Sequence, residues 1–182
     1  MKYLDEFRDP ERTRKAALAV AAVNPGGREF AFMEVCGTHT MAIARYGLKK
    51  LLPPNVRLIS GPGCPVCVTP KEFVDHAVAL ARAPGVAVAT FGDMMRVPGS
   101  SADLLRLQAE GADVRVVYSA REALAAARAE PASKVVFLAV GFETTAPTIA
   151  ATVMEAATAG VENYFVLVAH KLIPPAMRAL CA

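Results

Sequence analysis

The feature that most restricts this chain is an alternation. Short apolar runs follow one another along the sequence, each separated from the next by a stretch with helical periodicity. The runs at residues 30–35, 56–60, 86–90, 113–118, 134–140 and 164–168 are rich in Val, Ala, Leu and Phe. Several are apolar without interruption, the pattern of strands buried on both faces of a parallel sheet. Helices are predicted at 11–22, 41–51, 71–81, 101–110, 120–129, 147–159 and 175–180. Local signals support them. Thr69 precedes Pro70, Ala146 precedes Pro147, and Ser119 stands three residues before Glu122 as in a capping box. Gly85, Gly111 and Gly160 each close a helical run before a strand. The expectation is an α/β fold: two lobes of mainly parallel sheet flanked by helices, with a cleft between them. Residues 1–29 read as an N-terminal helical segment ending in an Asn24-Pro25-Gly26-Gly27 turn. Residues 30–100 read as a first lobe carrying the cysteine motifs, and residues 101–182 as a second lobe that is incomplete. Three strands are expected in each lobe.

Composition removes several function classes. Among 182 residues, 54% are hydrophobic, enough for a sizeable core. The net charge of +3, with no Lys/Arg run, gives no footprint for nucleic acid. The longest apolar stretches, 16–23 and 135–140, fall well short of the roughly 20 residues that cross a bilayer. The first eight residues lack the apolar region of a signal peptide. A cytoplasmic protein is expected. Its four cysteines then read as thiols, metal ligands or catalytic groups rather than structural disulfides.

In open α/β sheets, ligands bind beyond the carboxyl ends of the strands. The unusual residues cluster at those positions. The first strand runs into Glu34-Val35-Cys36-Gly37-Thr38-His39-Thr40. A cysteine where strand turns to helix meets the positive end of the helix, which favours a thiolate and a neutral His39. Thr38 and Thr40 are candidate caps. The second strand leads to Gly61-Pro62-Gly63-Cys64-Pro65-Val66-Cys67-Val68-Thr69-Pro70. Two sulfurs at C-x-x-C spacing form a disulfide or share a metal, and the surrounding glycines and prolines give the loop a definite shape. The third strand ends at Asp93 and Arg96, able to position a partner or to pair with each other in a turn. The fifth ends at Gly141-Phe142-Glu143-Thr144-Thr145-Ala146-Pro147, where the threonines bind a ligand or cap a helix. No P-loop pattern occurs anywhere. The sixth ends at Ala169-His170-Lys171. His76 reads as structural, Met94 and Met95 as packing, and Cys181 has no motif around it.

Taken together and in this order, the blocks FMEVCGTHT, GPGCPVCVTP, TFGDMMRVPGS and GFETTAPT resemble the HypD family of hydrogenase maturation factors. The closing His170-Lys171-Leu172-Ile173-Pro174-Pro175 fits as well, and the resemblance extends over the chain from about residue 3. It implies a scaffold that, with HypC, holds an iron carrying cyanide and carbon monoxide, the Fe(CN)2CO group. That group then passes to the large subunit of nickel–iron hydrogenase. HypE supplies the cyanide precursor, with HypF upstream of it. By this resemblance Cys36 is an iron ligand, Cys64 and Cys67 are a redox-active dithiol, and His39 stands near the iron. Asp93, Glu143, Thr144 and His170 are candidates for the ligand-binding edge from their place at strand ends, not from the resemblance. The family also implies a chain about twice as long, with an iron–sulfur cluster on further cysteines. The ligands of that cluster are absent here, since Cys181 alone cannot replace its usual four thiolates.

Two other readings use the same residues. Cys36, His39, Cys64 and Cys67 form a three-sulfur, one-imidazole set suited to structural zinc, although zinc more often staples small domains than large α/β cores. A plain thiol–disulfide oxidoreductase would use Cys64 and Cys67 and leave Cys36 and His39 without a role.

Overall fold

A computed structural model describes residue 5, residues 9–23 and residues 27–181. Residues 24–26 of the expected turn lie outside the described residues. The chain forms two compact units, Met1–Cys64 and Pro65–Ala182.

In the first unit, helix α1 (Pro10–Val23) precedes a two-stranded parallel sheet of β1 (Phe30–Glu34) and β2 (Val56–Ser60). Between the strands lie α2 (Gly37–Arg45) and a 3-10 turn, Leu48–Lys50. The register pairs Phe30 with Val56 and Glu34 with Ser60, so both strands end at the same level. No described residue of this unit is fully buried. Phe32 is 54% exposed and Ile59 38%, because α1 buries none of its residues and the short α2 beside a two-stranded sheet leaves much of both faces uncovered.

The second unit holds a four-stranded parallel sheet in the order β4-β3-β5-β6. Its strands are β3 (Val86–Thr90), β4 (Val114–Val116), β5 (Lys134–Ala139) and β6 (Tyr164–Val168). The helices are α3 (Lys71–Ala81), α4 (Leu104–Ala109), α5 (Ala120–Ala129), α6 (Ala146–Thr158) and α7 (Ile173–Cys181). Alternation along the strands sorts the core into two layers. Val88 and Leu138 pack with α3 and α4 on one face. Ala87, Ala89 and Phe137 pack with α5 and α6 on the other. The six strands therefore divide two and four, not three and three. The run Val86-Ala87-Val88-Ala89-Thr90 is buried from its second residue onward, and β3 gains a neighbour on each side by joining β4 and β5.

The capping box at the start of α5 is present. Ser119 accepts a hydrogen bond from the Glu122 amide, and the Glu122 carboxylate reaches back to the Tyr118 amide. Other local expectations shift. Helix α2 begins at Gly37, four residues before the expected 41. Pro70, rather than Thr69, precedes α3, and the Thr69 hydroxyl donates instead to the Pro65 carbonyl at 2.8 Å. Asp103 caps α4 through the Arg106 amide.

Phe137 is fully buried in the centre of the sheet. Phe137→Ala is expected to lower stability by about 3–5 kcal/mol, read as a fall in the denaturant midpoint. A change within error would contradict this core.

Candidate functional site

The ends of β1 and β2 are tied together tightly. The Gly61 amide donates to the Glu34 carbonyl at 2.9 Å, and a Cβ at Gly61 would overlap that same oxygen. The Ser60 hydroxyl donates to Glu34 Oε1 at 3.1 Å, while Glu34 Oε2 is buried without a hydrogen-bond partner. From this junction the two strands release their cysteine loops.

Cys36 is the N-cap residue of α2, with extended backbone (φ −148°, ψ 128°) and no side-chain capping bond. Its carbonyl accepts from the His39 and Thr40 amides at 3.0 and 3.2 Å. Neither Thr38 nor Thr40 caps the helix, and its first turn begins at the cysteine itself. Beyond β2, Gly63 takes a left-handed φ of 97°, turning the chain into Cys64. A Cβ added at Gly37 would stand 3.4 Å from the Cys64 Cβ. The loops carrying Cys36 and Cys64 therefore meet at the start of α2. Both cysteines are half-buried, whereas His39 is exposed on the first turn.

In the second unit, the Thr69 amide closes a turn on the Val66 carbonyl at 3.2 Å, and Val66 packs on the α3 side of the core. Cys67, between them in sequence, is exposed. After β3, the 3-10 turn Gly92–Arg96 buries Met94 and Met95 and leaves Asp93 and Arg96 outside. The methionines pack in the core, as expected. Asp75 on α3 carries no motif in the sequence that marks it out. Its two carboxylate oxygens accept from the Ser100 amide at 2.6 Å and the Ser100 hydroxyl at 2.7 Å. These bonds hold its carboxyl below the ordinary carboxylate range. A Cβ at Gly99 would press on Asp75 at 2.7 Å, so the loop needs glycine there. The partners lie 25 residues apart, and no local pattern announces such a pair.

The loops after β5 and β6 are also joined. The Lys171 amide donates to the Gly141 carbonyl at 2.9 Å, and the Ile173 amide donates to Glu143 Oε1 at 2.8 Å. Glu143 and His170 thus belong to one knot of backbone. Thr144 is exposed. Thr145 precedes α6 but donates its hydroxyl to the Phe142 carbonyl rather than capping. His170 Nε2 is buried without a partner, and desolvation pushes the imidazole below its ordinary value. His76 is exposed on α3, and Cys181 is exposed at the end of α7 with no second thiol on that helix. Among the described residues, no three His, Cys, Asp or Glu side chains form a ready metal cluster. Among them, no helix is long and apolar enough to cross a membrane.

Comparison with known proteins gives the family of the chain. The family model described as HypD, hydrogenase formation hypA family, matches residues 11–182. The hydrogenase maturation factor HypD of Azotobacter vinelandii is 51% identical over 183 residues, covering 100% of this chain and 48% of that protein. That of Rhizobium leguminosarum bv. viciae is 50% identical over 175 residues, 96% of this chain and 46% of its own length. That of Escherichia coli K12 is 46% identical over 189 residues, 99% of this chain and 50% of its own. The chain spans about half the length of these curated relatives.

A pH dependence follows from His170. The unfolded histidine takes its proton near 6.5, whereas the folded one takes it lower. The stabilising contribution is complete above the unfolded value and is lost as pH falls through the folded value. His170→Gln is expected to flatten the decline of stability between about pH 7 and pH 5. Denaturant titrations with the same slope in both proteins would contradict the assignment.

Proposed function

We propose that this chain, which belongs to the HypD hydrogenase formation family, is the cysteine-bearing portion of a scaffold on which the Fe(CN)2CO group of nickel–iron hydrogenase is assembled. The observation that carries this reading is the meeting of the Cys36 and Cys64 loops at the start of α2. The iron group is cargo, held for a time and passed on. Cys36 supplies its thiolate, since low-spin iron with diatomic ligands favours soft sulfur donors in a sheltered setting. A half-buried sulfur at a helix N-terminus suits that task, because the positive end favours an anionic ligand.

Cys64 and Cys67 act as a dithiol, exchanging two electrons through a reversible disulfide. Cys64 stands beside the Cys36 loop, and the exposed Cys67 presents the other sulfur to a partner. His39, three residues beyond Cys36 and exposed on the first turn of α2, meets the incoming group or its carrier. Asp93 and Thr144 face outward at strand ends and serve recognition. Glu143 positions the loop that carries His170 by holding the Ile173 amide, and the neutral His170 offers a hydrogen-bonding nitrogen. The partners in this reading are HypC, which shares the iron, and HypE with HypF upstream, which deliver cyanide. The hydrogenase large subunit receives the product. The work belongs to the cytoplasm. Among the described residues, Cys181 is the one cysteine on α7, too few for the cluster that the family resemblance implies.

The exposure of Cys67 favours a second reading, a general thiol–disulfide oxidoreductase. Cys36 separates the two. In the complex with HypC purified without oxygen, Cys36→Ala is expected to lower bound iron by about tenfold or more, with the melting temperature unchanged. Iron retained at the level of the parent would overturn the ligand assignment. Disulfide reductase turnover that survives Cys36→Ala and is lost in Cys64→Ser would favour the second reading.

A further inference from the structure

The four-stranded sheet has a topological switch point between β3 and β5. The chain leaves β3 toward β4, then crosses back to place β5 on the other side of β3. The helix after β3 packs on one face and the helix after β5 on the opposite face. A crevice beyond the carboxyl ends of such a strand pair is where open α/β sheets hold ligands. Next to that edge, in the groove between α5 and α6 on one face and against Phe91, lies a cavity of about 630 Å³, within the range of small-molecule sites.

Its walls have a defined chemistry. Phe91, directly after β3, lines the cavity and is fixed edge-to-face on Phe137, with centroids 5.4 Å apart. Tyr118, after β4, lines it too and is 87% exposed, an unusual place for a large aromatic ring. Thr145 and Thr148, at the start of α6, give their hydroxyl protons to the Phe142 and Thr145 carbonyls at 2.9 Å each. They therefore offer no donor to a ligand. The charged donor is Arg121. It pairs with Glu155 at 3.2 Å, and Glu155 also holds Arg128 at 3.2 Å. Two guanidiniums share one carboxylate, leaving one positive charge in surplus at that end. The Arg121 side chain is 76% exposed, so its ion pair is weak and it turns to a new partner at little cost while Arg128 continues to neutralise Glu155.

We propose that this cavity binds a small flat molecule carrying one anionic group, an aryl carboxylate or an aryl phosphate. Its ring lies against Phe91 and Tyr118, and its anion rests on Arg121. No cysteine lines the cavity, and the site gives this unit a binding activity of its own.

The test is ligand-observed NMR on the whole chain with benzoate, phenyl phosphate, benzyl alcohol and inorganic phosphate as probes. The aryl anions are expected to bind about tenfold tighter than the neutral alcohol or inorganic phosphate. The stronger of the two anions identifies the carboxylate or the phosphate as the natural head group. Ala151→Phe, on the cavity wall formed by α6, is expected to abolish binding. Arg121→Gln, an exposed change, is expected to erase the preference for anions and keeps the test decisive if Ala151→Phe disturbs the helix. Equal binding of anion and alcohol, absence of aryl-anion binding, or a preference that survives Arg121→Gln would overturn the proposal.

Discussion

In a parallel sheet every strand delivers its carboxyl end to the same edge, and the function of this chain depends on that constraint. In the first unit the Gly61 amide closes on the Glu34 carbonyl, an approach that any side chain at position 61 would block. That contact sets the level at which β1 and β2 end. It thereby sets where Cys36 and Cys64 emerge. The cysteine loops meet because the strands that lead into them end side by side at the same level.

Much of this was legible in the sequence, for reasons that differ from element to element. The runs at 56–60, 86–90 and 164–168 became strands with the expected limits. Such runs combine β-branched or aromatic residues with glycine or proline punctuation nearby. The helices at 71–81 and 120–129 also began and ended as expected, the second under a complete capping box. The start of α2 was only partly legible: Cys36 reads as the turn from strand to helix, yet the helical pattern itself sets in only at residue 41. Cys36-Gly37-Thr38-His39 carries no capping side chain and places glycine at the first helical position, so local preference points away from the helix that forms. The division of strands was hidden. Local pattern marks β3 as doubly buried, but only the long-range pairing of Val88 with Val136 and Val114 shows which sheet it joins.

The candidate residues divide in the same way. Cys36, Cys64 and Cys67 announced themselves by spacing and by their place at strand ends. Asp75, which holds the Ser100 loop from 25 residues away, and Glu34, which accepts from Ser60, carried no such signal. Glu143 stands at the expected ligand edge, and its Oε1 accepts from the Ile173 amide, a contact that positions the loop. Some polar groups fix the loops at the strand ends, as Asp75 and Glu143 do. Sequence spacing reveals the cysteines more readily than these groups, because the latter act across the fold.

The most direct measurement is an infrared spectrum of this chain purified with HypC after co-production with the cyanide-delivering proteins. The account predicts paired cyanide and carbonyl stretching bands that travel with the complex and vanish in Cys36→Ala. Bands of undiminished intensity in that variant would contradict it, because the iron group would then rest on other atoms.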